Sequence, residues 1–327
     1  MSDRKIKKQL SRVVCVGEML FDRLFDRPGL PLEAVDSWTD YPGGSPANIA
    51  CACVKLGTPA GFIGCIGSDE FGDCLVELLE QIGVDTTGVQ RHNSAPTRIV
   101  YVVRDAKGDR HFAGFGERNS WEFADTYLNA DRLPETLIQQ AEFVVVGSLE
   151  LAYPQSRVAI SRVLDLAEKY KTQIFLDVNR RDIFWSDPHE SLPLIRELVK
   201  RADFLKLTDE EAKWLFDTAD PEIIFHRLDR VRGVWVTSGE GGCTYAMFGY
   251  QGKYPAFEVE VADTTGAGDA FTAGILHQLC NFQKRVIDAE IARDIVRYAS
   301  AVGALTVTKP GAIDSQPIAA AVEEFLS

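Results

Sequence analysis

The chain reads as an α/β protein with a mainly parallel central sheet covered by helices on both faces, plus a small second sheet set apart from it. Three observations carry that expectation. Short, β-branched, glycine-bounded apolar runs recur along nearly the whole length. Amphipathic helical stretches lie between them, which is the pattern of βαβ units. Two regions depart from it with strand-like segments that have no helix between them.

The apolar runs fall at residues 13–17, 61–66, 143–147, 173–177, 203–207 and 233–237. Between them, 70–82, 155–170 and 192–201 show helical amphipathicity. In the first exceptional region, 19–24 and 37–41 read as short strands. In the second, 99–104 and 110–115 flank Ala106-Lys107-Gly108-Asp109, a hairpin signal. Together they predict a lid sheet near 19–41 and 99–115. With no repeat, low-complexity segment or long Pro/Gly linker, residues 1–327 are expected to form one domain. In parallel α/β sheets ligands bind beyond the C-terminal ends of the strands, so the loops after the apolar runs are where chemistry is expected.

Composition narrows the function. The chain has 327 residues, 46% hydrophobic and 25% charged, enough to bury a core without disulfides. Seven cysteines, an odd number with no C-x-x-C pair, indicate reduced thiols in a cytoplasmic protein. Cys51 and Cys53 lie in an apolar helical stretch with no histidine nearby, which speaks against a metal there. A net charge of −13 argues against nucleic acid as a partner. The basic cluster Arg4–Lys8 reads as a solvated arm, followed by too few apolar residues for a signal peptide. No run reaches the length of a membrane span, so no membrane partner is expected. The five histidines are scattered, and metal or triad chemistry is not expected of them.

The most informative segment is Asp263-Thr-Thr-Gly-Ala-Gly-Asp-Ala-Phe271. Gly266, Ala267 and Gly268 lead straight into an apolar helical run. Small residues at a helix start let backbone N–H groups converge on an anion with the helix dipole behind them. Asp269 then projects from the first turn. An anion cradle beside a carboxylate suits phosphoryl transfer, in which the carboxylate takes the proton of an alcohol. A plain helix start with an acidic residue is the competing reading. No G-x-x-x-x-G-K-[ST] or G-x-G-x-x-G occurs, which excludes a P-loop and weakens a dinucleotide site.

Asp263–Phe271 resembles the C-terminal signature of the ribokinase-like (phosphofructokinase B-type) sugar kinases, and "GGSPANIA" (43–50) resembles their N-terminal signature. The similarity extends through "GEMLFD" (17–22), "IGSDEFG" (66–72), "DVNRRDIFW" (177–185), "KLTDEEA" (206–212) and "TSGEGG" (237–242), nearly the whole chain. The first and third of these segments, "GEMLFD" and "DVNRRDIFW", most resemble the fructokinase branch. The resemblance implies a ribokinase-like three-layer α/β/α sandwich with a β lid. It implies ATP and Mg²⁺ as cofactors, and K⁺ in potassium-activated members.

By the same resemblance, Asp22, Gly43, Gly44 and Asn48 hold sugar hydroxyls. Glu150 matches a sugar-contacting position, with a solvated loop acid as the alternative. Independently, Gly43-Gly44 permits close backbone approach, and Ser45-Pro46 reads as an N-cap and first-turn pair. Asn179 resembles a residue near the phosphates and hydrated Mg²⁺, and Arg181 suits bidentate bracing of a phosphoryl group. Glu211 matches the acid that organises water around Mg²⁺. The family's usual N-x-x-E has become Thr208-x-x-Glu211, which is also a capping box. Thr237, Gly239 and Gly242 resemble the ATP phosphate and ribose loop, and Ser300 falls near the adenine pocket. Asp263 and Thr265 match a monovalent-cation site, completed through backbone oxygens at Lys309, Gly311 and Ser315.

The expected activity is transfer of the γ-phosphoryl of ATP to a primary sugar hydroxyl, with fructose the leading acceptor. The nearest rival is 2-keto-3-deoxygluconate, whose carboxylate Arg118 and Arg181 could answer. A non-catalytic kinase-derived binding protein would have lost its base, and Asp269 is present. A nicotinamide oxidoreductase is the remaining, weaker rival. A homodimer through the lid is expected.

Overall fold

The computed structural model describes residues 10–25, 37–104, 110–282 and 287–327, with the side chains of 104, 110 and 111 excepted. The arm at Arg4–Lys8, the 26–36 part of the first lid segment and the turn at 106–109 lie outside the described residues.

The strands are β1 (Val13–Val16), β2 (Leu20–Phe25), β3 (Trp38–Gly43), β4 (Ala60–Gly67), β5 (Asp85–His92), β6 (Ile99–Arg104) and β7 (Arg110–Gly114). They continue with β8 (Phe143–Val146), β9 (Gln173–Asp177), β10 (Phe204–Thr208), β11 (Gly233–Thr237), β12 (Cys243–Met247) and β13 (Tyr250–Tyr254). The first helices are α1 (Ser45–Lys55), α2 (Glu70–Ile82), α3 (Glu135–Gln140), α4 (Pro154–Tyr170) and α5 (Pro188–Val199). They are followed by α6 (Asp209–Phe216), α7 (Pro221–Arg227), α8 (Ala267–Phe282), α9 (Ala289–Thr306) and α10 (Ala319–Leu326).

Nine strands form the main sheet in the order β13-β12-β11-β10-β9-β8-β1-β4-β5. Its pairings are parallel except β11–β12 and β12–β13. Period-two alternation splits the central strands between two cores. Val13, Cys15, Phe143, Phe175, Phe204 and Trp235 face one way, toward residues of α1, α8 and α9. Val14, Val16, Val144, Ile174, Leu176 and Leu205 face the other, toward residues of α4 and α5. Continuous burial on both faces explains why these strands read as unbroken apolar runs. Strand order diverges at β1, flanked by β4 and β8, so the crevice beyond the C-terminal ends of β1 and β8 is the natural binding place.

The second sheet has the order β3-β2-β6-β7, with β2–β6 parallel and the other two pairings antiparallel. One face buries Leu20, Leu24, Val100 and Val102 against Leu149, Tyr153 and Phe184 of the main body. On the other face, Arg23 grips Asp40 at 2.7 and 2.8 Å and lies against Trp38, Phe71 and Tyr101. Between the layers, the buried Arg98 holds Asp125 at 2.6 and 2.9 Å, ringed by Phe115, Phe123, Tyr153 and Phe184.

Local signals set the helices that matter for the site. Asp69 caps α2 through Gly72 N–H at 2.8 Å, and Gly83 ends it at φ 98°, the left-handed stop. The segment expected as a helix over 192–201 is helical from Pro188 to Val199, because Asp187 caps it and Pro188 suits the first turn. Among the described residues no helix is long and apolar enough to cross a membrane.

Candidate active site

Asp269 is the third residue of α8, and its side chain is met by α1. Ser45 Oγ donates to its Oδ1 at 2.6 Å, and Asn48 Nδ2 donates to its Oδ2 at 2.8 Å. Both partners are buried. The expectation of Ser45 as N-cap is corrected here. Gly44 is the cap residue, at φ 102°, and no side chain caps the helix from that position. A Cβ on Gly44 would lie 2.6 Å from Glu18 O and 2.9 Å from Met19 Cα, so only glycine fits. Ser45 N–H is taken instead by Glu18 Oε1 at 2.9 Å, from the loop between β1 and β2. The serine hydroxyl is thereby left for Asp269.

Two opposed influences act on Asp269. Burial, and then the charge of Asp177, raise its pKa above the ordinary carboxylate value; the Ser45 and Asn48 hydrogen bonds and the Lys206 charge pull it back. Lys206, buried in the middle of β10, pairs with Asp177 Oδ1 at 3.1 Å. Asp177 Oδ2 accepts from Thr272 Oγ1 at 2.8 Å, tying α8 to the strand end one turn beyond Asp269. The Lys206 pKa is raised: burial alone would lower it, but Asp177, Glu211 and Asp269 outweigh that, so it stays an ammonium.

The glycines before Asp269 have separate reasons. Gly266 stands at φ 78°, and a Cβ there would lie 2.9 Å from Ala312 Cα. A Cβ on Gly268 would lie 3.0 Å from Lys206 Nζ, so the ammonium sits against the helix start. Ala270 N–H closes the first helical bond to Gly266 O at 2.8 Å, and Ala267 N–H turns back to Thr264 O at 3.3 Å. Gly268 and Asp269 thus present first-turn N–H groups of the kind that have no intrahelical acceptor.

On the lid side, a Cβ on Gly43 would lie 3.1 Å from Asp22 Oδ2. Glu150 is buried in a 3-10 turn after β8, which corrects the reading of a solvated loop acid. Among the described residues neither of its oxygens has a hydrogen-bond partner, and the same holds for Asn48 Oδ1. Burial, and then the neighbouring Glu18 charge, hold the Glu150 carboxyl well above its usual range, and burial pushes Glu18 up to about 7.

Behind the glycines, Asp263 Oδ1 accepts from Thr265 N–H at 3.0 Å and from its hydroxyl at 2.8 Å, while Oδ2 accepts from Gly311 N–H at 3.0 Å. Ser315 Oγ donates to Gly311 O. The 263–265 and 311–315 loops are thereby tied together through Asp263 and Gly311.

This constellation sits in a chain whose residues 10–319 match the model of the pfkB family carbohydrate kinases. The chain belongs to that family. A probable fructokinase-2 from Arabidopsis thaliana is 33% identical over 319 residues, 96% of this chain and 95% of the relative. A Xylella fastidiosa fructokinase solved with bound ATP superposes at TM-score 0.85 with 27% identity, covering 97% of this chain and 98% of that one. A double-mutant Vibrio cholerae fructokinase, with fructose, ADP and potassium ion bound, does so at 0.83 and 27%, covering 98% and 99%. As a pfkB-family carbohydrate kinase, the protein is an ATP-dependent sugar phosphotransferase with the ribokinase-like fold.

In this kinase Asn179, Glu211, Thr237 and Gly239 lie at or just after neighbouring strand ends, whereas Ser300 and Arg118 do not. Glu211 Oε1 accepts from Arg180 N–H at 2.7 Å and Oε2 from Thr208 N–H at 2.8 Å. Thr208 Oγ1 accepts from Glu211 N–H at 3.1 Å, completing the capping box of α6. Asn179 stands at φ 40°, a position its short amide tolerates. Thr237 ends β11 beside Gly239 at φ 52°, and a Cβ on Gly242 would lie 2.2 Å from Tyr254 O. Ser300 is half-buried in α9. Arg118 and Arg181 are exposed, unlike the buried residues around Asp269. Sequence reasoning gave no role to Glu18, Lys206 or Thr272, and gave Ser45 only that of a cap. Glu18, Ser45 and Lys206 sit inside motifs already quoted, but nothing in the string says which partner each would meet.

Proposed function

We propose that the kinase phosphorylates fructose on a primary hydroxyl, giving fructose 6-phosphate, with Asp269 as general base. The observation carrying the base assignment is its placement: a buried carboxylate in the first turn of α8, beside the orphan N–H groups of that turn. Asp269 takes the hydroxyl proton, the oxygen attacks the γ-phosphorus, and ADP leaves. Of the N–H groups expected from residues 266–268 to meet the phosphoryl charge, that of Ala267 turns back to Thr264 O, so Gly268, with Asp269 after it, carries the role. The unpartnered Asn48 Oδ1 and Glu150 oxygens suit hydroxyl donors, and Asp22, Gly43 and Gly44 complete the sugar side. Fructose is supported by likeness to proteins named fructokinases over almost the full chain.

Asn179, Glu211, Thr237, Gly239, Gly242 and Ser300 are assigned to the nucleotide, and Arg118 and Arg181 to the substrate. Each Glu211 oxygen accepts one backbone N–H, which leaves a lone pair for water and fits water-mediated Mg²⁺. When bound, that ion neutralises phosphate charge. Asp263 with the 309–315 turn offers hard oxygen donors, which fits K⁺. We further assign a one-domain, cytoplasmic enzyme that dimerises through the lid.

A coupled ADP-release assay tests the substrate. Fructose should give the highest kcat/KM among fructose, ribose, adenosine, fructose 6-phosphate and 2-keto-3-deoxygluconate. Preference for the keto acid, abolished by Arg118→Ala, would overturn it.

A further inference from the structure

The first turn of α1 is built in an unusual way, and the consequence falls on the base. Gly44 supplies no cap, and the Ser45 N–H is anchored by Glu18, a residue of the loop joining core strand β1 to lid strand β2. That loop is locked. A Cβ on Gly17 would lie 2.6 Å from Pro46 Cγ and 2.8 Å from Glu150 Oε1, and one on Gly44 would strike the Glu18 backbone. Segments 17–19, 44–46 and 150 therefore interdigitate through two glycines, which fixes the Ser45 backbone independently of its side chain.

We propose that Ser45 is a positioning residue for phosphoryl transfer: its hydroxyl, on a backbone held by Glu18, keeps Asp269 ionised and fixes the carboxylate's orientation toward the sugar. This rests on Asp269 being the base. The two partners of Asp269 are not equivalent. An amide nitrogen only donates, so Asn48 Nδ2 serves the carboxylate form alone. A hydroxyl donates a strong, charge-assisted bond to the carboxylate and can accept a weaker one from the carboxylic acid, so Ser45 favours the ionised base yet still orients the protonated one. In the reaction the sugar O–H bond breaks, its proton passes to Asp269, the new O–P bond forms, and ADP departs with the electrons of the old one. Ser45 exchanges no atoms; it makes the charged form of Asp269 the resting form.

The other groups facing this carboxylate are Asp177 from β9, Lys206 from β10 and Cys15 from β1; Glu150 and Asp125 face Glu18. Ser45→Ala leaves all of these in place and keeps the Glu18 bond, which is to the backbone. Losing a hydrogen bond to the charged form moves a carboxyl upward, so the acid limb of kcat/KM should rise by about one pH unit. Activity well below the limb then falls about tenfold, while the plateau changes less and KM for ATP holds. Ser45→Thr, which restores a hydroxyl, should return the limb to the parent position. An acid limb unmoved in Ser45→Ala, whatever happens to the plateau, overturns the proposal. Asp269→Asn run in parallel separates the two readings: its inactivity with an unmoved Ser45→Ala limb sinks only the Ser45 inference, whereas its activity sinks both.

Discussion

At the scale of single residues, the active site is a balance of buried charges held apart by glycines. Gly268 is the clearest instance, because Lys206 Nζ would stand 3.0 Å from its missing Cβ. Gly268→Ala should push the lysine off Asp177 and lower kcat, while the melting temperature moves by only a few degrees, since the side chain displaced is flexible. Steady-state kinetics beside a thermal melt check this. The Glu18–Glu150 pair makes a second, pH-dependent prediction. Both carboxyls are raised in the folded protein, Glu18 to about 7, so the folded state holds protons that the unfolded chain releases near its ordinary glutamate pKa of 4.5. The Glu18 contribution is fully present below that value and is lost as pH rises through about 7, and the Glu150 contribution has the same sign. Glu150→Gln, which cannot ionise, should therefore raise the melting temperature relative to the parent more at pH 8 than at pH 5. Equal shifts at both would show that the pair does not titrate on folding.

At the scale of elements, legibility followed burial. The six parallel strands β1, β4, β8, β9, β10 and β11 announce themselves because both faces are covered and most positions are apolar, the polar exceptions such as Asp177 and Lys206 facing the site. The sheet's edges do not. β5 has the sequence DTTGVQRH, with only two of its eight residues buried, so it carries no strand signal of its own. The β12–β13 hairpin turns at Phe248 and Gly249, at φ 50° and 86°, and a phenylalanine is no cue for that turn. The α1 start was misread for a related reason: Ser-Pro has good cap statistics, but the cap position is decided by how closely Gly44 approaches Glu18. Where side chain and backbone act locally, sequence sufficed, as at the Thr208–Glu211 capping box. Thr208→Ala should cost about 1 kcal/mol in denaturant unfolding, with the cost confined to stability if the cap is its role. Beneath the lid, Arg98→Met would leave Asp125 buried without its partner and should cost about 3–5 kcal/mol. A loss under 1 kcal/mol would mean that the pair is not what joins lid to body.

At the scale of the molecule, the glycine-rich helix start, the cap-less α1 and the lid strands converge on the crevice beyond β1 and β8, although their residues are more than two hundred positions apart in the chain. The resemblance carried by short motifs along the chain was enough to find the family; the contacts across the crevice needed the fold. The lid exposes Trp38 and Phe112, which is the apolar surface a dimer would cover, and sedimentation at micromolar concentration should show twice 36.2 kDa. A monomer alone would remove the dimer and leave the chemistry untouched. The central claim is that the carboxylate of Asp269 takes the sugar proton. Its most direct test is kcat of Asp269→Asn with fructose and ATP, alongside ATP binding and a thermal melt. The amide keeps the size of the side chain but cannot accept the proton, so kcat should fall by roughly 10²–10⁴-fold with ATP binding and fold retained. A folded Asp269→Asn enzyme turning over at close to the parental rate would contradict the account.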